Sequence, residues 1–451
     1  MQSVDMTRPK TVLPMEGATL PAPAGVERAA IRRITMRLIP FLILCYFVAY
    51  LNRVNLSFAA LQMNKQLGLT QAAYGFGAGL FFITYCVCEV PSNLLLHRFG
   101  ARRWIARIML SWGLCAGAMA FVGGVFSFDV ARLLLGATEA GFYPGVLFFI
   151  TQWFPASYRG RIFGLFIAAI PLSGIIGGPL SGQLLGMEGV AGLHGWQWLF
   201  LLEAAPAVLL APVVLFYLPD SPRDVRWLPD AERTWLNAKL EAERRGVVSR
   251  RDYSVAQALT NPWVLFLAAM YFTNVCLLNT ITFFLPQIVK GFGLSMQQTG
   301  LVVALPSLLA LASVIWWGRH SDARMERTGH AALANFIGGV ALLVSVLVHD
   351  PVVRCAAITV AFAATLSFVS PFWAIPGTFL SGASAAGGIA AISALGVIGG
   401  FVSPWIVGAL HDATGDYRAG LGSFGCLAIV ASVAFYFVGK DRQAKTASGE
   451  A

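Results

Sequence analysis

Twelve long apolar runs punctuate this sequence, and a chain with so many of them has few ways to fold. They lie at about 36–58, 74–96, 104–124, 129–151, 162–186 and 197–218, then 262–286, 298–318, 331–348, 351–376, 383–410 and 418–438. A helix needs ~20 mostly apolar residues to cross a bilayer. Lipid offers no hydrogen bonds to a backbone, so each run must satisfy its own amide groups as a helix. The composition agrees: 57% of residues are hydrophobic and 12% charged, roughly half the charge of an average soluble domain. Gly and Pro inside the runs are tolerated because neighbouring helices re-satisfy freed backbone groups. The expected fold class is therefore an all-α membrane protein with twelve transmembrane helices in two six-helix bundles.

The net charge of +10 would suggest nucleic acid in a soluble protein, but its distribution excludes that reading. Twenty-six of the 32 basic residues fall in the N-terminal tail, alternate loops, the central stretch and the C-terminus. Opposite loops hold only Lys65, Lys290, Arg354 and Arg418. The positive-inside rule then puts both termini in the cytoplasm, and an even number of spans requires the same. The expected location is a bacterial inner membrane, with the lipid bilayer as surroundings and no nucleic-acid partner. The first apolar run is too long for a signal-peptide core, so it stays as a spanning helix. The expected division is a disordered cytoplasmic tail at 1–30, a bundle at 31–218, a cytoplasmic linker at 219–261, a second bundle at 262–440 and a cytoplasmic tail at 441–451. Within the linker, 230–245 has the pattern of an amphipathic surface helix.

The halves echo each other. The fifth span carries Gly177, Gly178, Pro179, Ser181 and Gly182; the eleventh carries Gly399, Gly400, Ser403, Pro404 and Gly408. The second span is followed by Arg98-Phe99-Gly100-Ala101-Arg102-Arg103, the eighth by Gly318, Arg319, Asp322 and Arg324. A six-plus-six duplication suits a transporter that rocks about a site between its halves. The glycines serve either close sliding or plain tight packing.

Two basic residues remain inside spans, Arg53 in the first and Arg132 in the fourth. A charge in hydrocarbon costs several kcal/mol, so each needs a cavity or a partner. A guanidinium facing a central cavity selects anions by forking onto a carboxylate. Packing against an internal acid is the alternative role for Arg53, and interfacial snorkelling the alternative for Arg132. Three acids also lie in spans: Glu89, Glu139 and Glu203. Glu139 follows Arg132 by two helical turns, which puts them on one face ~10 Å apart, able to share a polar cavity without touching. Glu139, with Arg132, is the proton-coupling candidate; Glu89 and Glu203 read as structural. Tyr50 shares the face of Arg53. Tyr85, Ser370 and Trp373 are further candidates for lining a substrate cavity.

Nothing points to an enzyme. No Walker-type phosphate loop is present, and the six histidines lie in loops or at helix ends, with no pair at metal-ligand spacing. The seven cysteines read as small core residues, not disulfides or metal ligands. A membrane sensor that binds without transporting would require an attached signalling module, and the tails are short.

The chain, from about Arg32 to Arg442, resembles the major facilitator superfamily and, within it, the anion:cation symporter family. The resemblance rests on Arg98–Arg103, on Arg132, Gly136, Glu139, Ala140, Gly141, Phe142, Tyr143, Pro144 and Gly145, on Phe154-Pro155, on Arg159-Gly160-Arg161, on Leu218-Pro219-Asp220-Ser221-Pro222, and on Phe379–Ala383 leading to Gly399-Gly400 and Pro404. It implies proton-driven uptake of organic anions such as tartrate, phthalate, hydroxyphenylacetate or sugar acids, with Arg53 on the substrate carboxylate, Arg132 and Glu139 in coupling, and Tyr50, Tyr85, Ser370 and Trp373 near the substrate. It makes Arg98, Gly100, Arg102, Arg103 and Asp322 gating-loop residues. No cofactor is expected; the proton gradient drives the cycle, and the protein is expected to work as a monomer. The chain departs from the family at Asn52, where many members have a titratable Asp. It departs again at Ser393 and Val397, where many have two Asn. Fewer polar groups there favour a short or aromatic carboxylate over a sugar acid. A uniporter, exchanger or effluxer of the same fold is the alternative mode.

Overall fold

The computed structural model describes residues 25–247, 260–324, 326–376 and 383–448. Among them there is no strand, and twelve helices are long and apolar enough to cross a membrane. The first bundle is built from α1 (Val26–Leu67), α2 (Gln71–Phe99), α3 (Ala101–Ala118), α4 (Val125–Glu139), α5 (Phe142–Trp153), α6 (Ala156–Ile167), α7 (Ala169–Leu184) and α8 (Gly195–Tyr217). Next comes α9 (Asp230–Val247), which lies in the linker. The second bundle contains α10 (Pro262–Lys290), α11 (Met296–Arg324), α12 (Thr328–Leu347), α13 (Pro351–Ala374), α14 (Ala383–Val397), α15 (Gly399–Thr414) and α16 (Arg418–Ser448). All twelve expected spans are present. Phe126, Leu209, Phe216, Leu347 and Val352 stand 69–89% exposed on the outside, where lipid, not water, is their neighbour.

Three spans are broken where the sequence reads as continuous: the fourth between α4 and α5, the fifth between α6 and α7, and the eleventh between α14 and α15. The short turn between α12 and α13 is secured by Asp350, whose Oδ1 accepts from the backbone N of Val352 and Val353 at 3.0 and 2.9 Å. Pro351 occupies the first helical position, where its missing N–H costs nothing.

The expectation of a disordered segment over 1–30 needs correction at its end. Residues 1–24 lie outside the described residues, but the helix already starts at Val26, after Gly25 in a left-handed conformation. At 1.5 Å per residue, the 42 residues of α1 outrun the membrane, and the projecting turns dock the linker. Arg33 Nε reaches Glu232 Oε2 at 3.2 Å. Arg159 Nη2 reaches Glu243 Oε2 at 3.1 Å. Trp227 stacks on Trp153 with ring centres 6.0 Å apart. The amphipathic run is thus a helix fastened to the first bundle. At the other end, α16 carries the chain as helix to Ser448 through most of the expected C-terminal tail.

The halves meet on the face opposite the linker, through α2 against α15, α7 against α11 and α1 against α10. There the backbones nearly touch. A Cβ on Gly178 would sit 2.6 Å from Gly300 O, and one on Gly75 would sit 2.0 Å from Pro404 O. Asp412 caps α2 across the junction by accepting from the N–H groups of Gln71 and Ala72 at 3.0 and 2.8 Å. Tyr74 Oη donates to Phe283 O at 3.3 Å. The structure is closed at this far face.

Candidate functional site

Arg53 stands mid-way along α1, half-buried, with its guanidinium boxed by aromatic rings. Its Cζ lies 5.1 Å from the ring centre of Tyr50, 5.2 Å from Phe81 and 5.4 Å from Tyr85. Face-on rings attract the cation through their quadrupoles and exclude water from its sides. Tyr46 extends the box, edge-on to Tyr50 at 5.1 Å and stacked on Tyr143 at 5.6 Å.

The guanidinium is not left empty-handed. Arg53 Nη2 and Nε both donate to Glu139 Oε1, at 2.6 and 3.0 Å. The pair is asymmetric: 3% of the Glu139 side chain is exposed against 27% of the Arg53 side chain. The acid is sealed, while the cation keeps an open flank. Of the two roles weighed for Arg53, an internal partner and an anion site, this conformation shows the first, on a residue still accessible to the second.

Glu139 is the last residue of α4, at the break in the fourth span. Ala140 leaves the helix and Gly141 turns at φ +88°, a left-handed conformation that favours glycine. Ser92 Oγ donates to Ala140 O at 2.7 Å and accepts from Trp104 Nε1 at 3.0 Å, which staples the break to α2 and α3.

Arg132 keeps the relation to Glu139 that its spacing suggested, near it without a bond, but its actual partners were not foreseen. It shares a face with Glu139 but is 4% exposed and spends its fork on α2: Nη2 donates to Ala78 O at 2.9 Å and Nε to Gly77 O at 3.4 Å. Its Cζ lies 5.0 Å from the ring centre of Phe81, the ring that Arg53 also contacts. In this conformation Arg132 joins α4 to α2 and does not meet Glu139 directly. Backbone carbonyls cannot be foreseen as partners from side-chain spacing.

Ser370, Trp373 and Ser393 all belong to the second bundle and do not touch Arg53. Ser370 is exposed beside Gly318. Trp373 packs edge-on against Tyr271, 5.0 Å between centres, and Ser393 is half-buried on α14. Tyr271 was not foreseen; it lies within electrostatic range of Tyr50, Tyr143 and Glu89, which makes it the second bundle's counterpart to the aromatic box. Glu89 differs from its structural reading: no hydrogen bond or ion pair holds its carboxyl among the described residues. Tyr46, Phe81 and Tyr143 were also missed, since a lone aromatic in an apolar run carries no sign of its role.

Of the loop residues, Arg102 pairs with Asp220 at 2.7 Å, and Arg103, Gly100 and Asp220 line a cavity of 420 Å³. Arg98 lies over Phe99, and Asp322 pairs with Arg327. Neither of these ion pairs joins one bundle to the other. Among the described residues no His, Cys, Asp or Glu cluster could hold a metal.

Two six-span halves closed at one face, with an ion pair boxed at mid-membrane, define a multi-pass membrane transporter and not an enzyme. Residues 42–404 match the model of the Major Facilitator Superfamily, and the chain belongs to that family. It is 44% identical over 91% of its length to a "Putative tartrate transporter" of Agrobacterium vitis, covering 94% of that protein. It is 43% identical to a "Quinolone resistance transporter" of Acinetobacter baumannii over 88% of this chain and 91% of the other, and 43% identical to a "Putative metabolite transport protein NicT" of Pseudomonas putida over 89% of this chain and 92% of the other.

Among solved structures, an inward-facing bacterial homologue of the lysosomal transporter Spinster superposes with a TM-score of 0.72 at 15% identity, covering 93% of this chain and 98% of that one. At that identity the likeness speaks for the fold alone.

Proposed function

We propose that this transporter carries a small organic carboxylate into the cell together with a proton, by alternating access. The observation that carries the reading is the Arg53–Glu139 pair, with its sealed acid and its half-open cation. A substrate carboxylate arriving at the open flank competes with Glu139 for one guanidinium. Stripping a buried acid of its partner costs about 3–5 kcal/mol, and such an acid neutralises by taking up a proton. Proton and substrate therefore assist each other's binding, as reciprocal coupling requires. The charge distribution puts the linker face in the cytoplasm, so closure at the far face is an inward-facing state. The cycle needs no cofactor beyond the proton gradient, and a single chain suffices for it.

The box of Tyr46, Tyr50, Phe81, Tyr85 and Tyr143 favours a short or aromatic carboxylate, tartrate-like or benzoate-like in size, over a hydroxyl-rich sugar acid, which would need more polar partners. Uptake of labelled candidate acids into proteoliposomes with an inward proton gradient tests the reading. Accumulation should collapse with a protonophore; accumulation that survives it would refute proton coupling. The relative named for quinolone resistance supports a second reading, export by the same fold. Faster loss of label from preloaded vesicles than gain from outside, with the gradient reversed, would favour that reading.

A further inference from the structure

Glu203 is the third acid inside a span, and the reading above gives it no work. It is 1% exposed. Ser181 Oγ donates to its Oε1 at 2.8 Å, while its Oε2 has no partner. Asn55 stands beside this carboxyl, and the Oδ1 of Asn55 is also buried and without a partner. From Asn55 the bonds run one way: Asn55 Nδ2 donates to Asn52 Oδ1 at 3.4 Å, and Asn52 Nδ2 donates to Val48 O at 3.0 Å and to Glu203 O at 3.3 Å. Each of these two neighbouring side chains thus carries a buried oxygen with no hydrogen-bond partner, an arrangement that native interiors avoid.

The elements packed against α8 supply no cation to offset an ionised Glu203. Arg53 on α1 is committed to Glu139, and Asn52 and Asn55 are the polar groups of α1 at this point. The α7 helix has no charged residue and offers Ser181. The α3 helix meets this turn of α8 with Gly117 opposite Ala204; its Arg102 pairs with Asp220, and its Arg107 lies over Trp104. A lone buried carboxylate is expensive, whereas the neutral acid is a donor.

We propose that Glu203 is a proton-binding site, neutral in this conformation, whose Oε2–H donates to Asn55 Oδ1. One proton then satisfies both orphaned oxygens and completes a chain of bonds ending at Val48 O, on the same helix as Arg53. The transporter thereby holds a second proton-binding carboxyl, apart from Glu139.

Infrared spectroscopy of the full chain in lipid tests this without reference to uptake, so its outcome is separable from that of the proposed function. A neutral carboxylic acid has a carbonyl stretch that carboxylates and amides lack. We expect such a band at neutral pH in the wild type and in Glu139→Gln, and its loss in Glu203→Gln, which supplies an N–H in place of the O–H. Asn55→Ala should keep the band but shift it to higher frequency, because the acid loses its acceptor. A band of undiminished size in Glu203→Gln, or none in the wild type, would overturn the site. An unmoved band in Asn55→Ala would overturn the assigned acceptor. Should Glu203→Gln not fold, the Asn55→Ala shift decides.

Discussion

At Arg53, the proposed cycle has one guanidinium serve two negative groups in turn: Glu139, its partner in this structure, and the substrate carboxylate. Replacing it with Lys keeps the charge but removes the fork that spans a carboxylate, so Arg53→Lys should weaken substrate binding by about tenfold or more, read by calorimetry or thermal shift. Glu139→Gln cannot exchange a proton; it should lose uphill uptake and retain substrate counterflow. Intact accumulation in that variant would clear Glu139 of coupling. Both residues stood out in the sequence because charge in an apolar run demands an explanation. Their pairing did not, since 86 positions separate them and helical spacing relates Glu139 only to Arg132. Partners reached across helices, including the carbonyls that hold Arg132, leave no periodic trace.

The helices themselves were legible from apolar length alone; their interruptions were not. The break after Glu139 depends on Gly141 at φ +88°, and a glycine in a membrane helix otherwise signals packing. Gly141→Ala combines a left-handed strain of ~1–2 kcal/mol with a Cβ that would meet Ser92 Oγ at 2.2 Å. We expect its melting temperature to fall by several degrees, with partial recovery in the double variant Gly141→Ala, Ser92→Gly. A wild-type melting curve for Gly141→Ala would mean that the break bears no strain. The start of α1 at Val26 escaped the sequence reading for a related reason. Its first turns are polar by membrane standards and owe their helical form to contacts with α6 and α9, such as Tyr158 Oη donating to Glu27 Oε1 at 2.9 Å.

Across the whole molecule, opening the far face requires α7 to part from α11 and α2 from α15. The glycine runs in the fifth and eleventh spans could be read as gates or as ordinary packing, and the structure divides them. Gly177 and Gly399 lie against Leu51 and Phe272 within their own bundles, while Gly178 and Gly400 meet Gly300 and Phe82 across the junction. Sequence could not separate adjacent residues that point to different bundles. Gly178→Val should wedge the far face open, lengthening spin-label distances between the α1–α2 and α10–α11 turns. Unchanged distances would show that the crossing tolerates bulk and does not set the conformation.

The linker helix α9 is bolted to α1 and α6 through Glu232 and Glu243, and so it travels as cargo of the first bundle. It is a handle on one jaw of the machine: a fluorophore on α9 would report that jaw's swing against a second dye on the α12–α13 turn, and a weight tethered there would load the stroke directly.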